Sequence, residues 1–416
     1  MRSILRSLGA CAISLSVTGA AFAAAVPANL GNGLDKVVQA KSKVPAYQNA
    51  AAQEQGNAMF DLAITDAQGR VLVRVNPMGS VAGKQGIGIN ALASELAGMV
   101  PSFQVVAVDS TYHDIGVMDA WVSVDDVPGL AANSGVRSVI LELKPQHRRS
   151  STAPSATAPW ASIEYTSATP GDAFNKLGST FDEGVIQHRV DQINRYYNPI
   201  ATLDYEGEGM SIGFISNSYN AHAANPVSID VANFDLPGDP GNPVNTQPVV
   251  VLQDDLSSTS SDDEGRGMTQ IGYKMAPKAR LAFATADFGE VGFADNIRAL
   301  AGIPAFTLDA SIQQGFAADA ICDDVGYFDE PYFQDGIIGA GINDAAAYGV
   351  AYFSSAANDI GTNGYESDLR WTPNGTGMTA AGGNTALAGT NIDLTSVPPE
   401  LYAGGFHNFN PVPNQL

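Results

Sequence analysis

Residues 261–277 read SDDEGRGMTQIGYKMAP. Ser261, Asp262 and Asp263 offer side-chain oxygens to the free N–H groups of a helix N-terminus. From Glu264 the pattern turns helical, with Met268, Ile271 and Met275 at helical spacing, and Pro277 ends the run. The stretch predicts a capped amphipathic helix with a carboxylate at its mouth. Taken alone, its acids also read as solvated first-turn charges. The neighbouring segments decide between the two.

Around it lie apolar, strand-like runs at 210–216 (MSIGFIS), 249–252 (VVVL), 281–284 (LAFA), 320–322 (AIC) and 350–355 (VAYFSS). Helical patterns at 264–275, 293–301 and 337–348 alternate with them. This alternation predicts an α/β fold, a doubly wound, mainly parallel sheet covered on both faces. In such sheets chemistry gathers beyond the carboxyl ends of the strands. The residues there are Ser216, Asn217 and Ser218, the acidic loop leading to Glu264, then Asp323 and Asp324, then Ser354, Ser355 and Asn358. A carboxylate in a crowded acidic site can have its pKa raised and act as a general base. An asparagine amide at a strand end can donate to a developing oxyanion. The set suggests acyl transfer with the nucleophile still unidentified.

At this point the domain from about residue 184 resembles the subtilisin-like serine peptidases, in a branch that shades into the sedolisins. The segment 207–218 (GEGMSIGFISNS) is similar to the strand that normally ends in the catalytic Asp. Residues 263–268 (DEGRGM) resemble the helix start that normally carries the catalytic His, and 275–281 (MAPKARL) the segment after that helix. Residues 322–326 (CDDVG) resemble the strand lining the specificity pocket, and 353–359 (FSSAAND) the turn carrying the oxyanion asparagine. The resemblance implies peptide-bond hydrolysis through an acyl-enzyme, with Glu264 as base and Asn358 at the oxyanion. Asp323 and Asp324 would bind substrate, favouring basic side chains or a lower working pH.

The pattern also departs from the family. Glu264 stands where subtilisins have His, a replacement that sedolisins share, but the Asp that sedolisins place one turn on is Met268 here. Asn217, or Ser216 in an ungapped alignment, stands where the catalytic Asp belongs, and an amide supplies no negative charge. Asp324 is a candidate to replace it. The Gly-Thr-Ser nucleophile motif is matched only by 374–380 (NGTGMTA), with Gly377 in the serine's place and too close after Asn358. The chain ends at 406–416 without a recognisable closing element, so the reading is of a truncated domain whose serine lies further on.

Residues 59–145 read as a small α+β domain. Strands are expected at 60–65 (FDLAIT), 71–75, 103–108, 121–124 and 136–143, and helices at 89–99 and 127–132. Before a subtilisin-like domain, this resembles an inhibitory, fold-assisting propeptide; an independent binding module is the other reading. Residues 1–23 read as a signal peptide, with Arg2 and Arg6, an apolar run and Ala21-Phe22-Ala23. The expected organisation is therefore signal 1–23, propeptide-like domain 24–147, linker 148–183 and peptidase-like domain 184–416, secreted or periplasmic. Arg148-Arg149 opens the linker as a solvated pair or a processing site. A further short helix is expected at 186–193.

The net charge of −22 argues against nucleic acid as a partner, and no later segment is apolar enough to span a membrane. Only Cys322 remains beyond the signal, which excludes an intrachain disulfide and reads as an inert thiol. No cofactor is required. Calcium is an option for the acidic segment 254–263, which lacks EF-hand spacing and reads first as a solvated loop. The expected partners are a peptide or protein substrate and the chain's own propeptide. A non-hydrolysing homologue that binds peptide, and an exported adhesive protein, are the alternatives.

Overall fold

The computed structural model describes residues 26–79, 86–147, 178, 182–190, 206–256, 262–303, 315–331 and 334–356, with short strands at 371–372, 378–381, 384–387 and 406–407. The expected signal peptide and residues 148–177 of the linker lie outside the described residues.

The first sheet is built from β1 (Leu30–Gly31), β2 (Val71–Pro77), β3 (Gln104–Asp109), β4 (Val117–Val122) and β5 (Val136–Leu141), in the order β1-β5-β2-β4-β3. Every neighbouring pair is antiparallel except β1 with β5. Alternation along β2 sends Val71, Val73 and Val75 to one face. There they join Met118, Ala120, Val139 and Leu141 beneath helices α1 (Leu34–Lys41), α3 (Ile89–Met99) and α4 (Val127–Ala131). The segment 60–65, expected as a strand, instead closes helix α2 (Gln53–Leu62), and only Ala63 and Thr65 make isolated bridges. Packing on α1 overrides the short alternation. Gly56 allows that approach, since a Cβ there would stand 2.2 Å from the Lys36 carbonyl oxygen.

The second sheet holds β7 (Ser211–Ser216), β8 (Val250–Gln253), β9 (Arg280–Thr285), β10 (Ala320–Asp323) and β12 (Ala351–Ser354), all parallel, in the order β12-β10-β7-β9-β8. The pleat divides its apolar residues. Ile212, Phe214, Val251, Leu281 and Phe283 face helices α6 (Val227–Ala232) and α7 (Glu264–Met275). Ile215, Leu252, Ala282, Ala284 and Ile321 face α8 (Gly289–Leu300) and α9 (Ile337–Ala347). The chain is an α/β protein with a parallel sheet covered on both faces. The short helix α5 (Glu183–Gln187) precedes this sheet, starting earlier than 186–193.

One connection in this sheet has an unusual hand. From β7 to β8 the chain moves two places toward one edge, with α6 on the Phe214 face. From β9 to β10 to β12 it moves the other way, with α8 and α9 on the opposite face. Those three crossovers share one hand. The β8–α7–β9 crossover also moves back, yet keeps α7 on the Phe214 face, so its hand is opposite. Crossovers are almost always right-handed. The exception lays α7 over β7 and β9, with Glu264 at the carboxyl ends of the strands.

The open face of the first sheet rests on α8 and α9. Ala107 and Val117 pack against Val291, Ala294 and Ile337. Gly289 starts α8 with φ +83°, and a Cβ there would stand 2.6 Å from Asp119 Oδ2. At the end of the first domain, β6 (Gln146–His147) pairs antiparallel with β11 (Val325–Gly326) of the second.

Residues 358–416 form a separate unit. Within it β13 (Trp371–Thr372) pairs with β16 (Phe406–His407), and β14 (Met378–Ala381) with β15 (Asn384–Leu387), both antiparallel. Within the stretch 406–416, Phe406 and His407 form the described strand. Gly377 lies outside the described residues.

Candidate functional site

The carboxyl end of β7 meets the N-terminus of α7, and β10 and β12 follow β7 in the sheet. Ser216, fully buried, donates its hydroxyl to Glu264 Oε2 at 3.3 Å. Asn217 faces elsewhere. Its amide donates to Asp262 Oδ1 at 2.6 Å, and its Oδ1 accepts from the backbone N–H of Ser218 and, at 3.4 Å, of Gly265. The free helix N–H is therefore met by a side chain from the neighbouring strand. The three residues before Glu264 were expected to do this. Asp263 instead takes a left-handed conformation with no cap bond. Its carboxylate accepts from Ala221 N at 2.8 Å, His222 N at 3.1 Å and Ser218 Oγ at 2.9 Å, and pairs with Arg266 at 3.1 Å. Ser261 lies outside the described residues.

Asp254 holds the same turn from the other side, accepting from the backbone N–H groups of Tyr219 and Asn220. Burial raises its pKa above the usual carboxylate range. Two acids of the 254–263 segment are thus engaged by main-chain amides. Among the described residues, the carboxylates close enough to share an ion are Glu142, Glu290 and Asp329, away from this segment.

Asp323 ends β10 inside the sheet, 2% exposed. Tyr352 OH donates to it at 2.5 Å and Ser354 Oγ at 2.8 Å, while burial raises its pKa against those bonds. Asp324 is half-buried and accepts from Ser355 Oγ. The two neighbours therefore differ: Asp323 locks β10 to β12, and Asp324 stands at the edge of the site. Burial also pushes the Cys322 thiol up, with the two aspartates adding to it, so the thiol stays protonated and unreactive. Asn358 lies outside the described residues.

The structure thus joins Ser216 to Glu264, leaves Asn217 on Asp262, and brings Asp323 and Asp324 to the adjacent strand. The reading from sequence missed the contact between the domains. Arg74, at a sheet position among valines, meets Glu142, Glu290 and Asp329 there. A single cation within VLVRV was the signal.

No family model matches the chain, and no curated protein matches it. Among solved structures, it is similar to fervidolysin from Fervidobacterium pennivorans, described as a keratinolytic enzyme related to subtilisin, at 13% identity and a TM-score of 0.37. The similarity covers 77% of this chain and 45% of that one, so the chain spans less than half of the structure it matches.

Proposed function

We propose that this chain is an exported serine-peptidase homologue whose cleft beside Glu264 takes an extended peptide, with the N-terminal domain as its inhibitory propeptide. One observation carries the reading. The Gln146–His147 strand, leaving the first domain, lies antiparallel on Val325–Gly326, directly after Asp323 and Asp324. An added strand on an exposed edge is how many sites grip peptides without regard to sequence. In this reading the tail of the first domain stands in for a substrate strand, which the pairing of residues 146–147 with 325–326 supports. The chain then continues into Arg148-Arg149, which suits cleavage beside acidic residues. Glu264 is the general base, and Ser216 orients it rather than attacking, since that hydroxyl is fully buried. Hydrolysis needs a second serine hydroxyl as nucleophile and a donor for the oxyanion, the role that the sequence resemblance gives Asn358.

A second reading, a peptide binder without turnover, is favoured by Asn217, whose amide pairs with Asp262 and brings no charge to Glu264. Treating the exported full-length product with a fluorophosphonate and taking its intact mass separates the two. The expected result is a labelled protein whose N-terminus has been cut within residues 148–150. An unlabelled protein that binds a strand peptide supports the second reading. Absence of both label and peptide binding, after the first domain is released, removes both.

A further inference from the structure

We propose that the N-terminal domain is held on the α8–α9 face by a shared proton in a buried Arg74–Glu142–Glu290–Asp329 group, and that the domains part as pH rises. Arg74 (β2) and Glu142 (after β5) belong to the first domain; Glu290 opens α8, and Asp329 follows β11. Arg74 is in contact with Glu290, and lies 3.3 Å from both Glu142 and Asp329. One guanidinium thus faces three carboxylates, and Asp119 of β4 adds a fourth, fully buried carboxyl group.

The crowding of buried carboxylates around one guanidinium favours a bound proton. Glu142 accepts from Glu290 N at 3.3 Å and Asp119 from Val291 N at 3.1 Å, so the first domain's carboxylates cap the helix that carries Glu290. Both favour the charged form on the first domain. Glu142, Glu290 and Asp329 each bring a carboxylate oxygen within 4.8 Å of the other two. Glu290 Oε1 and Asp329 Oδ1 are buried without a hydrogen-bond donor, and Glu142 Oε1 has only the 3.3 Å ion pair with Arg74 Nε. Carboxylates this close and this buried share a site at lowest cost when one of them holds a proton. A divalent cation is a poorer answer, because Arg74 already occupies the centre of the same three groups.

Burial pushes Glu142 up to about 7 and Glu290 up to about 10, each against the pull of Arg74. Asp119 is raised well above the ordinary range, again by burial first. Groups raised on docking favour the docked state fully below their ordinary pKa, and that advantage falls as pH climbs toward the docked value. The window therefore opens near pH 4.5 and extends through neutrality. Around the group, Glu330 caps α9 through Gly339 N and is also raised by burial. Tyr112 and Tyr327 are raised by burial and stay neutral in this window. Arg298 of α8 pairs with Asp109 of β3 at 2.9 Å, and also meets Asp295 and Asp344. Burial alone would raise Asp109, but Arg298 and the Thr111 donors hold it below the usual range, so this link persists through the window.

As a control of access to the cleft, the switch rests on the propeptide reading; as a property of the interface, it does not. The test is hydrogen exchange on the full chain, read at the amides of Glu290 and Val291 and corrected for intrinsic rates. Protection there should fall at least about tenfold between pH 5.5 and 8.5. The E290Q variant should lose clearly less protection than wild type across that range, while Glu142 and Asp119 still titrate. D109N should lower it at both pH values without changing the slope. A flat wild-type profile, or a wild-type slope in E290Q, overturns the proposal. Protection restored at pH 8.5 by millimolar calcium or magnesium overturns it in favour of a bound cation. Should E290Q fail to fold, E142Q replaces it. Hydrolysis is not a readout, so a pH-independent interface would leave the peptidase reading standing.

Discussion

Asp263 has φ 50° and ψ 49°, a conformation that costs most residues about 1–2 kcal/mol but suits Asp and Asn. Its carboxylate gathers two backbone amides, the Ser218 hydroxyl and Arg266, all but out of contact with water. D263A should therefore destabilise the protein by about 3–5 kcal/mol, because Arg266 and three donors lose a buried partner. D263N keeps the conformation and part of the bonding, so its loss should be smaller. Thermal unfolding of the two variants checks the order, and equal losses would mean that the charge is not used. The sequence reading found the carboxylate at the helix mouth, Glu264, and the residues at the strand ends. It assigned Asp263 to capping because the three-residue acidic start looks like a cap, and a left-handed turn has no pattern of its own in a residue string. The same holds for Ser216 against Asn217. Which of two adjacent residues faces Glu264 depends on the pleat at the end of β7, where a one-residue shift exchanges faces.

Helix α7 approaches the sheet through glycine. A Cβ at Gly272 would stand 2.1 Å from Phe214 Cζ, and one at Gly265 2.1 Å from Phe283 Cε2, whereas Gly267 has open space around it. Two substitutions in one helix should therefore differ in sign. G272A should cost about 1–3 kcal/mol by overpacking against the ring. G267A should gain up to about 1 kcal/mol from helix propensity. Thermal melts of both variants check this, and a neutral G272A would show that Phe214 can move aside. The boundaries of α7 and the existence of all five parallel strands were legible, because apolar runs and helical spacing are local properties. The order of the strands and the reversed hand of the β8–α7–β9 crossover were not. Both follow from which sheet face each helix covers, and both faces are equally apolar in these strands. The swap of 60–65 from strand to helix has a similar origin, since the choice there is made by α1 rather than by the segment itself.

At the scale of the whole molecule, two domains share a buried surface that carries more negative than positive charge. Their separate folds were readable from sequence, but their contact was not, because Arg74 and its carboxylates come from four distant segments. Arg74 lowers the pKa of Asp119, Glu142 and Glu290 alike. Replacing it with methionine keeps much of the apolar stem and removes that pull, so the carboxylates should bind protons more tightly in the docked state. The sign follows directly. A larger excess of bound protons on docking makes stability fall more steeply as pH rises. Each further proton taken up adds about 1.4 kcal/mol per pH unit to the slope. R74M should thus lie near wild type at pH 5 and well below it at pH 8, when thermal unfolding is followed at both. An R74M curve parallel to wild type would mean that the guanidinium does not share its field with these groups. A curve that falls toward acid would mean that it anchors ionised carboxylates, as an ordinary buried salt bridge does.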